Sequence, residues 1–324
     1  MGYGRRQLNP VRAILEYSNI PLQWACEKHP FPLSRAREIQ AGFDILNNHI
    51  ASKDGGTGAT ADELRELFPD PTSRVMSPWE TVFYKLIEEW CCEIGDTAAP
   101  LENCIHFLHE ALIQMRSEHR HGNGIFVGTV HSAKGLEFKH VIILDGNWEA
   151  APQKIEEKRR LYYVGMTRAM ENLVILDLKD SNNQFVRMMA KSNGTINRDL
   201  VKLLEVKPSI LSRKYYFLGM GDIYLDLGSR DSSVRQHVSM LKPGDPLFLR
   251  TKNDRVLLFN RDNQHVATLS RAASNKWSAR LNSVVEAKVF VIVRRHKADC
   301  SPEYQKNCVA DSWEVPLVEI CCSE

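Results

Sequence analysis

The stretch Gly128–Phe138, GTVHSAKGLEF, decides how this chain is read. An apolar run, Ile125–Val130, leads into it, and a second, His140–Leu144, leaves it. Thr129 stands near the end of the first run, with His131 just beyond. Gly135 permits a close backbone turn, because it has no Cβ. Downstream, Glu156–Ala169, EEKRRLYYVGMTRA, opens as a helix and is followed by a third apolar run, Leu173–Leu176. Short buried strands alternating with helical segments imply an α/β unit with a parallel sheet. Open sheets of that kind bind ligands at the carboxyl ends of their strands. A hydroxyl, an imidazole, the amine of Lys134 and the carboxylate of Glu137 displayed there could meet a phosphate and a sugar. A plain surface turn is the alternative reading of the same residues.

On the amino-terminal side the texture is helical. Residues 9–25, NPVRAILEYSNIPLQWA, read as a short helix and then an edge strand. Pro10 suits the first helical turn and Asn19, ahead of Ile20-Pro21, suits the stop. Residues 33–50 and 61–67 also read as helices, separated by the turn-rich SKDGGTGAT of Ser52–Thr60. Two amphipathic helices follow, over 78–93 and 101–120. Ser77 and Pro78 open the first, and Pro100 precedes the second. Leu101, Cys104, Phe107, Leu108, Leu112 and Met115 give the second a helical period. Residues 180–212 read as a connection. Beyond them lie seven strand-like stretches, YYFLG, DIYLDLG, PLFLR, RVLLFN, HVATLS, KVFVIVRR and WEVPLVEI. Turn signals such as Pro243-Gly244-Asp245 separate them, and one helix, Ala272–Asn282, interrupts them. This pattern predicts a small antiparallel β-barrel.

A chain of 324 residues accommodates two or three domains. A net charge of +2 does not mark the whole chain as a nucleic-acid binder. Basic residues do cluster at Arg116–His121, Lys158–Arg160, Arg250–Arg255 and Arg294–Lys297; each cluster alone reads equally as a solvated face. Of eight cysteines none forms a C-x-x-C pair, so no metal site is expected. The amino terminus, MGYGRRQLNP, has no hydrophobic leader, and no run has the length of a membrane span. Reduced thiols and a cytoplasmic location are the expectation.

The two central segments, HSAKGLEF and then RRLYYVGMTRA, each followed by a hydrophobic strand, closely resemble motifs V and VI of the UvrD/Rep family of superfamily 1 DNA helicases. That resemblance implies a RecA-like second motor domain. Such a domain supplies the second half of a split ATP site and part of a single-strand DNA track. By the resemblance, Thr129 and His131 lie on the DNA track. Glu137 approaches the nucleotide sugar, with Gly135 allowing the approach. Arg168, the arginine of TRA, is the γ-phosphate arginine and so the catalytic residue. The physical need is clear, because charge spreads over the γ-phosphoryl oxygens in the transition state and a rigid guanidinium can stabilise it. Arg159 and Arg160 could share in phosphate binding or simply pair with Glu156 and Glu157. Tyr162 and Tyr163 could stack on a base or pack in the core.

The departures are as informative. No GxxxxGK[ST] phosphate loop occurs in the sequence. Gly55–Thr60 is glycine-rich without the lysine, and Asp62-Glu63 opens a helix rather than ending a buried strand. Asn9 falls near the family's second phosphate-binding arginine, with Arg5, Arg6 and Arg12 as neighbours out of clear register. ATP with Mg2+ is therefore expected only alongside a Walker-bearing partner half, and the isolated chain is expected to be inactive. The expected division is 1–25 as the start of the second motor domain with a degenerate motif IV, 26–120 as a helical insertion, 121–205 as the RecA-like domain, and 206–324 as the barrel.

The stretch VLLFNRDNQHVATLSRAASNKWSARLNSV, Val256–Val284, resembles the HIRAN class of small β-barrels, found beside helicases and binding DNA ends. Arg250, Lys252, Arg255, Arg271, Arg294 and Arg295 could form a phosphate-binding face there, with Phe248 or Tyr216 as stacking partners. Arg294 and Arg295 are the leading candidates. A generic packing barrel is the alternative. The whole reads as the carboxy-terminal part of an ATP-dependent 3′-to-5′ DNA helicase of the DNA repair type. Its expected partners are single-stranded DNA or DNA ends and a separate or missing amino-terminal half. The alternatives are a catalytically inactive DNA-binding or assembly module, and a protein-interaction scaffold with no affinity for nucleotide or DNA.

Overall fold

The computed structural model describes residues 5–25, 31–52, 58–69, 76–118, 120–121, 124–145, 148, 154–177, 183–189, 207–225, 232–306 and 308–323. Most of the expected connection over 180–212, and the centre of the loop Ser52–Thr60, lie outside the described residues. The chain divides into two compact units, each built from two separate lengths of sequence. One is Met1–Glu27 with Glu118–Arg213, and the other Lys28–Ser117 with Lys214–Glu324.

The first unit opens with the helix Arg5–Tyr17. It starts earlier than Pro10 suggests, so Pro10 sits inside it and cannot make the amide bond that its position would allow. The stop is as read. Asn19 takes φ +54, and the Ile20 amide donates back to the Leu15 carbonyl at 2.9 Å, a Schellman closure. The strand Leu22–Ala25 follows. The sequence pattern places it at an edge. It instead lies between Arg120–His121, antiparallel, and Ile125–Val127, parallel. Gly124 makes the parallel pairing possible. Its φ is +101, and a Cβ there would stand 2.1 Å from the Pro21 carbonyl oxygen. That carbonyl accepts the Ile125 amide at 2.9 Å. Leu8 and Val127 are buried together between helix and sheet, with Val11, Leu15 and Leu22 against them.

A second parallel pair joins Phe138–Ile143 to Ala169–Ile175, crossed over by the helix Ile155–Met166. Tyr162 and Gly165 face inward from that helix. Tyr162 packs edge-on to Trp148 at 4.6 Å and beside Phe185 at 5.2 Å, completing a core with Ile143.

The second unit has one continuous core. The helices of its amino-terminal length are Arg37–Ser52, Ala61–Leu67, Pro78–Ile94 and Leu101–Glu118. Capping boxes start two of them, Thr60 with Glu63 and Ser77 with Glu80. All seven expected strands are present. Four form the antiparallel sheet Phe248–Lys252, Arg255–Phe259, His265–Leu269, Ile223–Tyr224. Three form the antiparallel sheet Val284–His296, Ser312–Cys322, Lys214–Leu218.

The expected barrel does not close among the described residues. The two sheets stay separate, linked there by an isolated bridge between Pro246 and Lys288. Helix rather than more strand covers their apolar faces. The helix Arg271–Ser278 buries Trp277. The helix Ser233–Met240, which the sequence pattern does not announce, buries Val238. From the amino-terminal helices Trp79, 1% exposed, donates its indole N–H to the Phe290 carbonyl at 3.0 Å and packs edge-on to the Phe290 ring. Polar ties run beside this core. Arg35 pairs with Asp299, and Arg37 donates to the Leu241 carbonyl at 2.6 Å.

Candidate functional site

Thr129 lies just past the strand Ile125–Val127, and the chain turns back on itself before Phe138–Ile143 begins. Local bonds shape this turn. The Thr129 carbonyl accepts from the Ala133 amide at 3.2 Å, the His131 carbonyl from Lys134 at 3.3 Å, and the Ala133 carbonyl from Leu136 at 3.1 Å. Gly135 carries φ +82, a conformation that a side chain would strain. A Cβ there would meet nothing within 4 Å, so the glycine serves the turn and faces open space. The Thr129 hydroxyl is engaged inside the loop. It accepts from the Ser132 amide at 3.2 Å, while the Ser132 hydroxyl donates to the Thr129 carbonyl at 2.7 Å. His131, Lys134 and Glu137 are exposed around it.

Arg168 reaches this loop from the other segment. It stands one residue beyond Thr167, the C-cap of the helix Ile155–Met166, and directly precedes the strand Ala169–Ile175. Its Nη1 donates to the Leu136 carbonyl at 3.0 Å, its Nε to Val164 at 3.1 Å, and its Nη2 to the Thr167 hydroxyl at 3.1 Å. Its own carbonyl accepts the Phe138 amide at 2.9 Å. Arg168 therefore stands beside both chain neighbours of Glu137. Thr129, His131, Gly135, Glu137 and Arg168 fall in one unit, at the carboxyl end of Ile125–Val127 and the amino ends of the second strand pair.

The remaining candidates of this segment divide. Glu156 takes both Arg159 at 2.9 Å and Arg160 at 3.3 Å, the ion-pair reading of those arginines. The hydrogen bond from Arg159 holds the Glu156 carboxyl below its usual value. Tyr162 is core, and burial pushes its phenol up to about 12. Tyr163, 62% exposed, presents its ring on the surface.

Arg294 and Arg295 belong to the other unit. Arg294 lies between Asp44 at 2.9 Å and Glu314 at 4.0 Å, and Arg295 lies over the Trp313 ring at 6.0 Å. Arg250 binds Asn263 and covers the Phe259 ring, and Arg255 folds back onto the Leu269 carbonyl. Phe248 is 47% exposed, whereas Tyr216 packs edge-on to Trp277. Among the described residues no three His, Cys, Asp or Glu side chains gather to hold a metal ion. No helix among them is long and apolar enough to cross a membrane.

Sequence reasoning missed the acceptors of Arg168. A backbone carbonyl such as Leu136 leaves no side-chain signature. Ser132, three residues after Thr129, was findable, because that spacing is the signature of a hydroxyl-closed turn.

Residues 81–180 match the UvrD-like helicase C-terminal domain family. The ATP-dependent DNA helicase Rep of Buchnera aphidicola subsp. Schizaphis graminum is 47% identical over 58 residues, covering 16% of this chain and 9% of that protein. DNA helicase II of Haemophilus influenzae is 36% identical over 90 residues, 25% of this chain and 12% of its own length. DNA helicase II of Escherichia coli is 46% identical over 55 residues, 14% and 8% of the two chains. The aligned stretch thus spans only 8% to 12% of each relative's length. With the ordered motifs and the contact between them, these likenesses make residues 81–180 similar to the C-terminal region of UvrD-like helicases.

Proposed function

We propose that this chain supplies the second half of an ATP site and part of the single-strand DNA track of a 3′-to-5′ DNA helicase. Arg168 is the γ-phosphate arginine in this reading, Glu137 faces the nucleotide sugar, and Gly135 gives the turn that displays it. Thr129 and His131 line the DNA track, and Arg294 and Arg295 add phosphate contacts from the other unit. The domain reading is a RecA-like motor domain over 121–205 with its start in 1–25, an inserted helical segment over 26–120, and a small β domain over 206–324 that shares its core with that segment.

The observation that carries this proposal is the junction of Arg168 with Leu136 and Phe138. It brings the guanidinium and Glu137 into one corner, where the loop leaving the carboxyl end of Ile125–Val127 meets the amino ends of the second strand pair. The described residues fit a role in holding ATP through an arginine and a carboxylate. Mg2+ at such a site takes one or two carboxylates and the phosphates rather than a cage of protein ligands. The metal would fall to the triphosphate and to the Walker-bearing half. Bound ATP supplies the phosphoryl group to be cleaved; this chain holds the sugar edge and stabilises charge at the terminal phosphate.

A second reading, an inactive DNA-binding or assembly module, is favoured by the missing phosphate loop. The test is single-strand-stimulated ATP hydrolysis by the chain alone and mixed with the Walker-bearing first half of a UvrD-like helicase. The proposal expects turnover only in the mixture. Turnover by the pure chain, abolished by Arg168→Ala, would overturn the need for a second half. A mixture that binds DNA yet never hydrolyses ATP would favour the inactive module.

A further inference from the structure

The guanidinium of Arg168 is bonded within the protein itself. Its Nη1 bond to the Leu136 carbonyl ties together residues 32 positions apart. The backbone bonds inside the loop from Thr129 to Leu136 are local turns of 3.1 to 3.3 Å, and the two bonds between Thr129 and Ser132 that use their hydroxyls are local as well. Such turns hold little shape alone, because each net hydrogen bond offsets the entropy of only a residue or so. The start of the loop is pinned by Val130, whose methyl carbons lie within van der Waals reach of the Gly165 position. Its far end is pinned by Arg168. Between those anchors His131, Lys134 and Gly135 are exposed.

We propose that Arg168 is a positioning residue for the Thr129–Glu137 loop, holding it through the Leu136 carbonyl in the shape that displays Thr129, His131 and Glu137. The meaning of the loop as a DNA track rests on the proposed function; the strut itself does not. A terminal phosphate that engages Arg168 then acts on the same group that shapes the DNA-facing loop. Three of the five guanidinium N–H groups are used in the bonds to Val164, Leu136 and Thr167. A phosphate oxygen on the remaining two shares the group that holds the loop, and that sharing gives the two sites a direct physical link.

The test uses the full chain without nucleotide, as wild type and as Arg168→Lys, which keeps the charge and loses the planar fork. Residue-resolved amide exchange is measured together with the thermal midpoint. The expected result is exchange on the order of five- to ten-fold faster at Ala133, Lys134 and Leu136. The Phe138 amide is the internal control: its acceptor is the main-chain carbonyl of residue 168, so its exchange and the midpoint should not move. Single-strand affinity should fall with its salt slope unchanged, because no charge is lost.

Loop exchange identical in the two proteins, or already at the free-chain rate in wild type, overturns the strut. Should Arg168→Lys fail to fold, nitrogen spectra of wild-type Arg168 decide instead. Slow guanidinium rotation supports the strut and free rotation overturns it. A loop that responds in a protein with no DNA affinity would sink the DNA part of the proposed function and leave the strut standing.

Discussion

Glu38 and Asp299 show how single carboxylates of the second unit set its response to pH. Burial raises the pKa of Glu38, with Arg37 at 3.4 Å pulling the other way. A raised folded value means that the native state holds its proton above the unfolded carboxylate value of about 4.3. Stability therefore falls as pH climbs from there through the folded value. Glu38→Gln should raise the melting temperature at pH 7, and that gain should vanish near pH 4. Thermal melts at the two values check this, and a larger gain in acid would contradict it. Asp299 runs the opposite way. The hydrogen bond from Arg35 holds its carboxyl far below the usual range. Its contribution is present above the unfolded value of about 3.9 and is lost as pH falls further. The pair lies at the surface with its side chains 31% and 22% exposed, so solvent screens it and Asp299→Asn should cost on the order of 1 kcal/mol at neutral pH by thermal melt.

At the scale of elements, caps and crossings separate what was legible from what was not. Ser77 and Pro78 announced a helix start in sequence, and Ser77 forms a capping box there with Glu80. Ser77→Ala should cost about 1 kcal/mol by denaturant titration. The apolar alternation of the seven strands was equally legible, because the pattern is local. Ser233–Met240 was not, since SVRQHVSM is too short and polar to show a helical period. The pairing of helix with sheet was not either. Trp79 and Phe290 lie 211 residues apart, and nothing in either neighbourhood names the other.

Trp79→Ala should destabilise the second unit by about 3–5 kcal/mol, as expected for a large buried aromatic. A loss confined to the helices, with the strands melting as in wild type, would contradict the shared core. In the site, motif VI gave Arg168 its identity by resemblance, but its Leu136 and Val164 partners are carbonyls, so side-chain spacing could not reveal them. Gly124 was overlooked because one glycine in a short loop carries no pattern. Gly124→Ala should cost about 2 kcal/mol or more, through its contact with Pro21 and its positive φ. In the second unit, Arg294 already has Asp44 and Glu314 as partners. The double change Arg294→Ala with Arg295→Ala should flatten the salt dependence of single-strand binding by about one unit per lost phosphate contact. Most of that change should come from Arg295. Fluorescence anisotropy across a salt series measures it, and an unchanged slope would remove these arginines from the track.

At the scale of the whole molecule, sequence order and compact unit do not coincide. The family match over 81–180 begins in the second unit and ends in the first. Both units are assembled from distant lengths of chain, so a truncation drawn between sequence segments would cut a core. The chain passes from one unit to the other between Glu27 and Lys28, between Ser117 and Glu118, and between Arg213 and Lys214. Catalytic competence is also a property of the whole, since ATP chemistry in this account needs a phosphate loop from elsewhere. The most direct measurement is single-turnover ATP hydrolysis on single-stranded DNA, in a mixture of this chain with a Walker-bearing first half. Wild type and Arg168→Lys are compared at saturating protein. The account expects hydrolysis with wild type and a fall of about a thousand-fold or more with Arg168→Lys, because a point charge does not replace the planar fork at the terminal phosphate. Hydrolysis by Arg168→Lys at the wild-type rate would contradict it.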